Sequence, residues 1–96
     1  MYKLLIVEDD PGIAEAVALY ARQWGLEAHT VRDFRNVMTE FAAVQPHLVL
    51  LDIALPFFDG YHWCSEIRKL SNVPIVFLSS AADNMNIVMA LCLGAD

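Results

Sequence analysis

Leu48-Val49-Leu50-Leu51-Asp52 is an apolar run that ends in a single carboxylate. A strand with one wet face alternates polar and apolar residues, whereas a run without alternation is expected of a central parallel strand covered on both faces. This reading decides the fold class and places Asp52 at the carboxyl tip of a buried strand. In open α/β sheets that tip is where ligands bind, in the crevice where the strand order reverses.

Outward from this strand, short β-branched runs alternate with amphipathic segments, the pattern of right-handed βαβ units around a parallel sheet. Lys3 to Val7 is the first strand, and Glu8, Asp9 and Asp10 follow it. Asp10 is suited to cap a helix that starts at Pro11, where the missing N–H costs nothing. Ile13, Val17, Tyr20 and Trp24 recur at helical spacing, and Gly25 closes the helix. Glu27 to Val31 reads as the second strand. Asp33 is then expected to cap a helix with the stripe Phe34, Val37, Met38, Phe41 and Val44, which Pro46 ends. Beyond the loop Ala54 to Gly60, a helix carries Trp63, Cys64, Ile67 and Leu70 on one face. Pro74 leads into the strand Ile75 to Leu78, with Ser79 at its end. Asp83 is expected to start a fourth helix through Met85, Val88, Met89 and Cys92, with Gly94 as its C-cap. No repeat, linker or low-complexity stretch interrupts this series.

Composition narrows the function classes. A chain of 96 residues supports one core, and 57% hydrophobic content excludes a disordered tail. Twelve acidic against six basic residues give a net charge of -6, so this segment lacks the positive surface that nucleic-acid backbones require. No apolar run approaches the ~20 residues that span a bilayer, and no secretory cleavage site follows the first strand, so a cytoplasmic protein without a membrane partner is expected. Cys64 and Cys92 sit singly in apolar patterns and are expected as reduced, buried thiols; His29, His47 and His62 share no metal-ligating spacing. Trp24 and Trp63 are expected on core stripes, and Met85 and Met89 either in the core or on an interaction face.

The residues gathered at the strand tips are Glu8, Asp9, Asp52 and Ser79. Converging carboxylates repel one another, and the local sequence supplies no lysine or arginine to neutralise them. A hard cation is the natural answer. Mg²⁺ takes oxygen ligands and keeps several waters, so one or two carboxylates and a phosphate oxygen complete its shell. With such an ion present a carboxylate oxygen can attack phosphorus, because the cation offsets charge on the equatorial oxygens. The Ser79 hydroxyl can then donate to a phosphoryl oxygen on Asp52, a contact that exists only in the modified state and so offers a switch.

Four motifs in order, Glu8-Asp9-Asp10, Asp52-Ile53-Ala54-Leu55-Pro56-Phe57-Phe58-Asp59-Gly60, Pro74-Ile75-Val76-Phe77-Leu78-Ser79-Ser80 and Gly94-Ala95-Asp96, resemble the receiver domain of two-component response regulators over the whole chain. The resemblance implies a flavodoxin-like (CheY-like) α/β fold and phosphorelay signalling, with no turnover of an external substrate. It implies Asp52 as phosphoacceptor, Asp9 as a direct ligand of Mg²⁺ (or Mn²⁺), Glu8 as a ligand through water and Ala54 as a ligand through its backbone carbonyl. Ser79 is similar to the family's switch hydroxyl, with Ser80 and Ala81 beside it in the phosphoryl loop. A sensor histidine kinase is the implied partner. More narrowly, Asp33-Phe34, Glu40-Phe41 and Tyr61-His62-Trp63-Cys64 look like the winged-helix DNA-binding regulators that respond to antimicrobial peptides such as bacitracin.

The family continues past Gly-Ala-Asp into a fifth strand ending in Lys-Pro and a fifth helix, and the sequence stops at Asp96. Residues 1–96 therefore read as an incomplete receiver without the catalytic lysine, from a longer protein with a DNA-binding domain. The expected sheet is parallel, of order 2-1-3-4, with its fourth strand open at one edge and prone to homodimerisation or other self-association. Three rival readings fit parts of the pattern. A flavodoxin-like cofactor module needs backbone N–H groups, not acids, after the first strand. A metal-dependent nucleic-acid enzyme of the topoisomerase-primase type wants a second acid where Ala54 stands. A receiver-like adaptor or interaction module that works without phosphate has no use for the acidic trio in the parent protein, and stays the alternative for residues 1–96 alone.

Overall fold

The computed structural model describes residues 1–80 and 87–91. The first 80 residues form β1 (Lys3–Val7), α1 (Pro11–Gln23), β2 (Glu27–Thr30), α2 (Val37–Val44), β3 (Leu48–Asp52), α3 (Gly60–Arg68) and β4 (Ile75–Ser80). These strands are parallel and lie in the order β2-β1-β3-β4, as expected from the alternating pattern.

The β1 run is buried on both faces and the β3 run fully on one and partly on the other, and the two-residue period sorts them. Leu5 and Val7 of β1 join Val49 and Leu51 of β3 in one core with Val37 and Phe41 of α2 and Trp63 and Ile67 of α3. Leu4 and Ile6 face the other way, into a core with Ala14, Ala18 and Ala21 of α1. That second core corrects the stripe expected for α1. Alanine carries a weak hydrophobic signal, yet its small side chain lets the helix lie close to the sheet. Tyr20 and Trp24 are turned outward, Trp24 to 83% exposure, so Trp24 is not a core residue; Trp63, at 5%, is one.

Local capping follows the sequence in places and departs from it in others. The Asp10 carboxylate accepts from the Gly12 and Ile13 N–H groups and Pro11 opens α1, both as expected. Gly25 takes a left-handed backbone, φ 83°, after the helix end at Trp24. Asp33, expected as the cap of α2, stands earlier: its carboxylate accepts from Arg35 N–H and Asn36 Nδ2, and Asn36 occupies the cap position without a side-chain bond. Leu70 lies past the end of α3 and is 72% exposed, so it leaves the stripe that Trp63, Cys64 and Ile67 keep. Cys64 is disulfide-bonded rather than a reduced thiol; Cys92 falls outside the described residues.

The largest departure is at the sheet edge. Where a helix was expected around Val88 and Met89, Ile87–Leu91 forms β5, antiparallel to β4 with Ser79 opposite Val88 and Phe77 opposite Ala90. Short apolar runs do not distinguish helix from strand by periodicity, and the outer N–H and C=O groups of β4 require partners. β5 supplies them. It is not the parallel fifth strand that the resemblance places after residue 96, and the outer edge of β4, expected to be open, is covered. The rest of the expected fourth helix, from Asp83 to Asn86 and from Cys92 to Gly94, lies outside the described residues.

Ile67 is fully buried and Leu70 largely exposed, which makes a direct contrast. Urea denaturation is expected to show a loss of about 2–5 kcal/mol for Ile67→Ala and a change within about 0.5 kcal/mol for Leu70→Ala. Equal losses would place Leu70 in the core after all.

Candidate functional site

The parallel register brings the acids together. Ile6 lies beside Leu50 and Val7 beside Leu51, so the next residues, Glu8 and Asp52, emerge side by side at the carboxyl end of the sheet. The two-residue period puts Glu8 on the face of Leu4 and Ile6, and Asp52 on the face of Leu48 and Leu50. Both belong to the α1 side of the sheet. Ligand oxygens of Glu8, Asp9 and Asp52 lie within 4.8 Å of one another. Glu8 and Asp52 are buried, at 4% and 3% exposure, while Asp9 is open to solvent.

Two backbone groups orient the buried pair. Asp10 N–H donates to Glu8 Oε2 at 3.0 Å, and Ala54 N–H donates to Asp52 Oδ1 at 3.3 Å. Neither bond neutralises charge, and among the described residues no lysine, arginine or histidine forms an ion pair with the trio. Burial is therefore the main force on their titration. It pushes Glu8 up to about 7, against the Asp10 N–H and with the charge of Asp52, to which Glu8 is also hydrogen-bonded. Burial likewise raises Asp52, opposed by the Glu8 hydrogen bond and the Ala54 N–H.

The donor set fits a hard divalent cation on chemical grounds. All three side chains offer carboxylate oxygen, one is reachable from solvent, and the buried two have no cationic side chain paired with them among the described residues. Mg²⁺ or Mn²⁺ favours this set over the nitrogen and sulfur ligands that select zinc. The three histidines are occupied elsewhere, as their spacing suggested. His47 Nδ1 accepts from Lys3 N–H, His29 pairs with Glu27, and His62 stacks on Phe58.

Two further residues shape the site, and the sequence reading gave neither a role. A Cβ on Gly60 would lie 2.3 Å from the Asp52 carbonyl oxygen and 2.9 Å from Ile53 Cα, so the start of α3 packs directly on the backbone of the central acid. Gly60 N–H donates to the Ile53 carbonyl at 2.8 Å, closing the loop. Asp59 caps α3 by accepting from His62 N–H. The Asp-Gly pair at a helix start was the available signal, but it marks a turn equally well.

Of the remaining expected residues, Ala54 follows Asp52 by two positions at the start of this loop. Ser79 follows Leu78, the register partner of Asp52, on the neighbouring strand. The side chains of Ser79 and Ser80, and all of Ala81, lie outside the described residues.

A family model described as "Response regulator receiver domain" matches residues 4–96. Two Bacillus subtilis proteins, the transcriptional regulatory protein YvcP and the sensory transduction protein BceR, are each 46% identical over all 96 residues. The chain spans 40% and 42% of their lengths. Among solved structures, the N-terminal domain of the nisin resistance regulator NsrR is 42% identical with a TM-score of 0.81, over 100% of this chain and 81% of that one. The Thermotoga maritima response regulator TrrA in complex with Mg(2+)-BeF is 29% identical with a TM-score of 0.78, over 85% and 72%. A complex of histidine kinase ThkA with TrrA also matches, at 28% identity and a TM-score of 0.76, over 90% and 75%.

Two outcomes test this geometry. Gly60→Ala forces the α3 start away from Asp52 and is expected to cost about 1–3 kcal/mol in urea denaturation; no loss would mean that the contact is slack. Glu8 holds its proton more tightly in the fold than in the unfolded chain. Its contribution to stability is therefore complete below 4.5 and lost as pH rises through about 7. The metal-free thermal midpoint is expected to fall across that window. Millimolar Mg²⁺ should restore it on the alkaline side, by on the order of 5 °C for each ~1 kcal/mol recovered. A midpoint that Mg²⁺ does not move at any pH would contradict the site.

Proposed function

We propose, from the premise that this chain belongs to the response regulator receiver family, that Asp52 accepts a phosphoryl group in a reaction that depends on Mg²⁺ or Mn²⁺. The observation that carries this reading is the convergence of Glu8, Asp9 and Asp52, with two of the three buried and none in an ion pair among the described residues.

Asp9, Glu8 and the Ala54 carbonyl would hold the ion beside Asp52, Asp9 directly and Glu8 through water. When bound, the ion supplies the positive charge that lowers the repulsion between an anionic acceptor and an anionic donor. The chain's own residues do the rest. Ala54 N–H holds one Asp52 oxygen, which limits the carboxylate's rotation and presents it at the rim of the sheet. Of the buried pair Glu8 holds the proton, and its contact lowers Asp52, which favours Asp52 as the carboxylate that reacts. An Asp52 oxygen then forms a bond to phosphorus while the bond from phosphorus to the donor's leaving group breaks.

The donor in this reading is a sensor histidine kinase, supported by the solved complex of TrrA with the kinase ThkA. Ser79 on β4, with Ser80 and Ala81 after it, would register the change. A phosphoryl oxygen on Asp52 would draw in the Ser79 hydroxyl and move the segment that follows. The output would be control of transcription through a DNA-binding domain elsewhere in the parent protein, in the cytoplasm. The names of YvcP and BceR support a regulatory output, and homodimerisation of the receiver belongs to the same proposal. An adaptor that never meets phosphate has no account of two buried carboxyl groups that lack a cationic partner among the described residues, an arrangement that costs stability.

Intact mass measurement after incubation with Mg²⁺ and a small phosphodonor tests the acceptor. One phosphoryl group is expected on the wild-type chain, none on Asp52→Asn and none with the metal chelated. Phosphorylation that survives Asp52→Asn would remove Asp52 from this role.

A further inference from the structure

Phe57 adopts a left-handed backbone, φ 70°, in the loop that joins Asp52 to α3. A bulky L-residue is strained there, because its Cβ crowds the following carbonyl, and glycine would adopt the same shape freely. The strain is not offset by burial, since the Phe57 ring is 62% exposed. What the ring does contact is Arg35, whose guanidinium carbon lies 4.2 Å from the ring centroid.

Arg35 comes from a segment that is itself tied down. The Glu40 carboxylate accepts from the Arg32 and Asp33 N–H groups at 2.9–3.2 Å. Asp33 accepts from Arg35 N–H at 3.0 Å and from Asn36 Nδ2 at 3.1 Å. Asp33 and Glu40 thus build a fixed turn after β2 from which the Arg35 side chain reaches across the carboxyl ends of the strands. Among the described residues the Arg35 guanidinium forms no ion pair within 4.0 Å; it lies over the Phe57 ring, and its charge also acts on the neighbouring Asp33.

We propose that Arg35 is a positioning residue: by stacking on Phe57 it holds the Asp52–Gly60 loop in its strained conformer, and with it the Ala54 backbone beside the acidic trio. An exposed cation–π contact biases an equilibrium by a factor of about two to five. The strain at Phe57 works in the opposite direction and is at least as large, a factor of about five to thirty. With strain already opposing this conformer, the loop is sensitive to the loss of the stack. The consequence for the metal rests on the cation site proposed above; the consequence for the loop does not.

The test is a double-mutant cycle on the full chain with Arg35→Ala, Phe57→Gly and both together. Calorimetric titration with Mg²⁺ reads the site, and hydrogen exchange of the Gly60 amide, bonded to the Ile53 carbonyl at 2.8 Å, reads the loop. Arg35→Ala is expected to weaken Mg²⁺ binding and to speed Gly60 exchange, each by about two- to fivefold. Arg35→Lys, which keeps a cation over the ring, should recover part of both. In the Phe57→Gly background, where strain and ring are both gone, removing Arg35 should change neither. An Arg35→Ala effect of the same size in both backgrounds, or no effect on Gly60 exchange in the wild-type background, would overturn the proposal. If the wild-type chain bound no Mg²⁺ at all, the cation reading would fail, and Gly60 exchange alone would decide the role of Arg35.

Discussion

Everything at the carboxyl end of this sheet depends on the cost of holding Glu8, Asp9 and Asp52 within 4.8 Å of one another while two of them are shielded from water. Unlike charges would draw such a cluster together; like charges push it apart, and low local polarity makes the push stronger. The arrangement persists because the strands that carry the acids are fixed by burial on both faces. Leu5, Ile6, Val7, Val49 and Leu51 are all without solvent exposure. The protein's immediate relief is to keep a proton on the cluster, which is what the raised Glu8 carboxyl expresses. A divalent cation would be the stronger relief, and in the proposed reaction one that also prepares Asp52 for an anionic reactant.

The supports around the cluster share one property: they are backbone contacts that leave the carboxylates unneutralised. Asp10 and Ala54 lend N–H groups to Glu8 and Asp52, and Gly60 lets the start of α3 rest against the Asp52 carbonyl. A lysine or arginine in any of these places would quench the charge that attracts a metal. Short backbone bonds hold geometry without doing so. The loop from Asp52 to Gly60 is thus braced at its ends, while its middle, at Phe57, rests on a strained residue and a single exposed stack with Arg35. Such unequal bracing is where a change at Asp52 can be felt first.

Much of this was legible in the residues. The unalternating run before Asp52 identified a central strand, the acids after β1 fell beside it, and Asp10-Pro11 marked the start of α1. These features are local, and the parallel register followed from them. What was not legible depends on neighbours distant in the chain. Trp24 was assigned inward by spacing, but the sheet accepts only the small face of Ala14, Ala18 and Ala21. Asp33 has the chemistry of a helix cap and is used one turn earlier, because Glu40 folds the preceding backbone back on itself. The segment Ile87–Leu91 satisfies helix and strand patterns alike, and the unpaired edge of β4 decides between them. Gly60 reads as an ordinary turn glycine until the Asp52 carbonyl is found against it.

The central claim is spatial: acids separated in the chain form one cation site at one end of the sheet. Titration of isotopically labelled protein with substoichiometric Mn²⁺ tests it most directly, because the paramagnetic ion broadens amide resonances according to their distance from it. The account predicts that Glu8, Asp9, Asp52 and Ile53 disappear first, that Lys3 and His47 at the far ends of the same strands persist, and that excess Mg²⁺ restores the spectrum. Broadening centred on another acidic group, such as Asp33 or Glu66, or spread evenly over the surface, would contradict it.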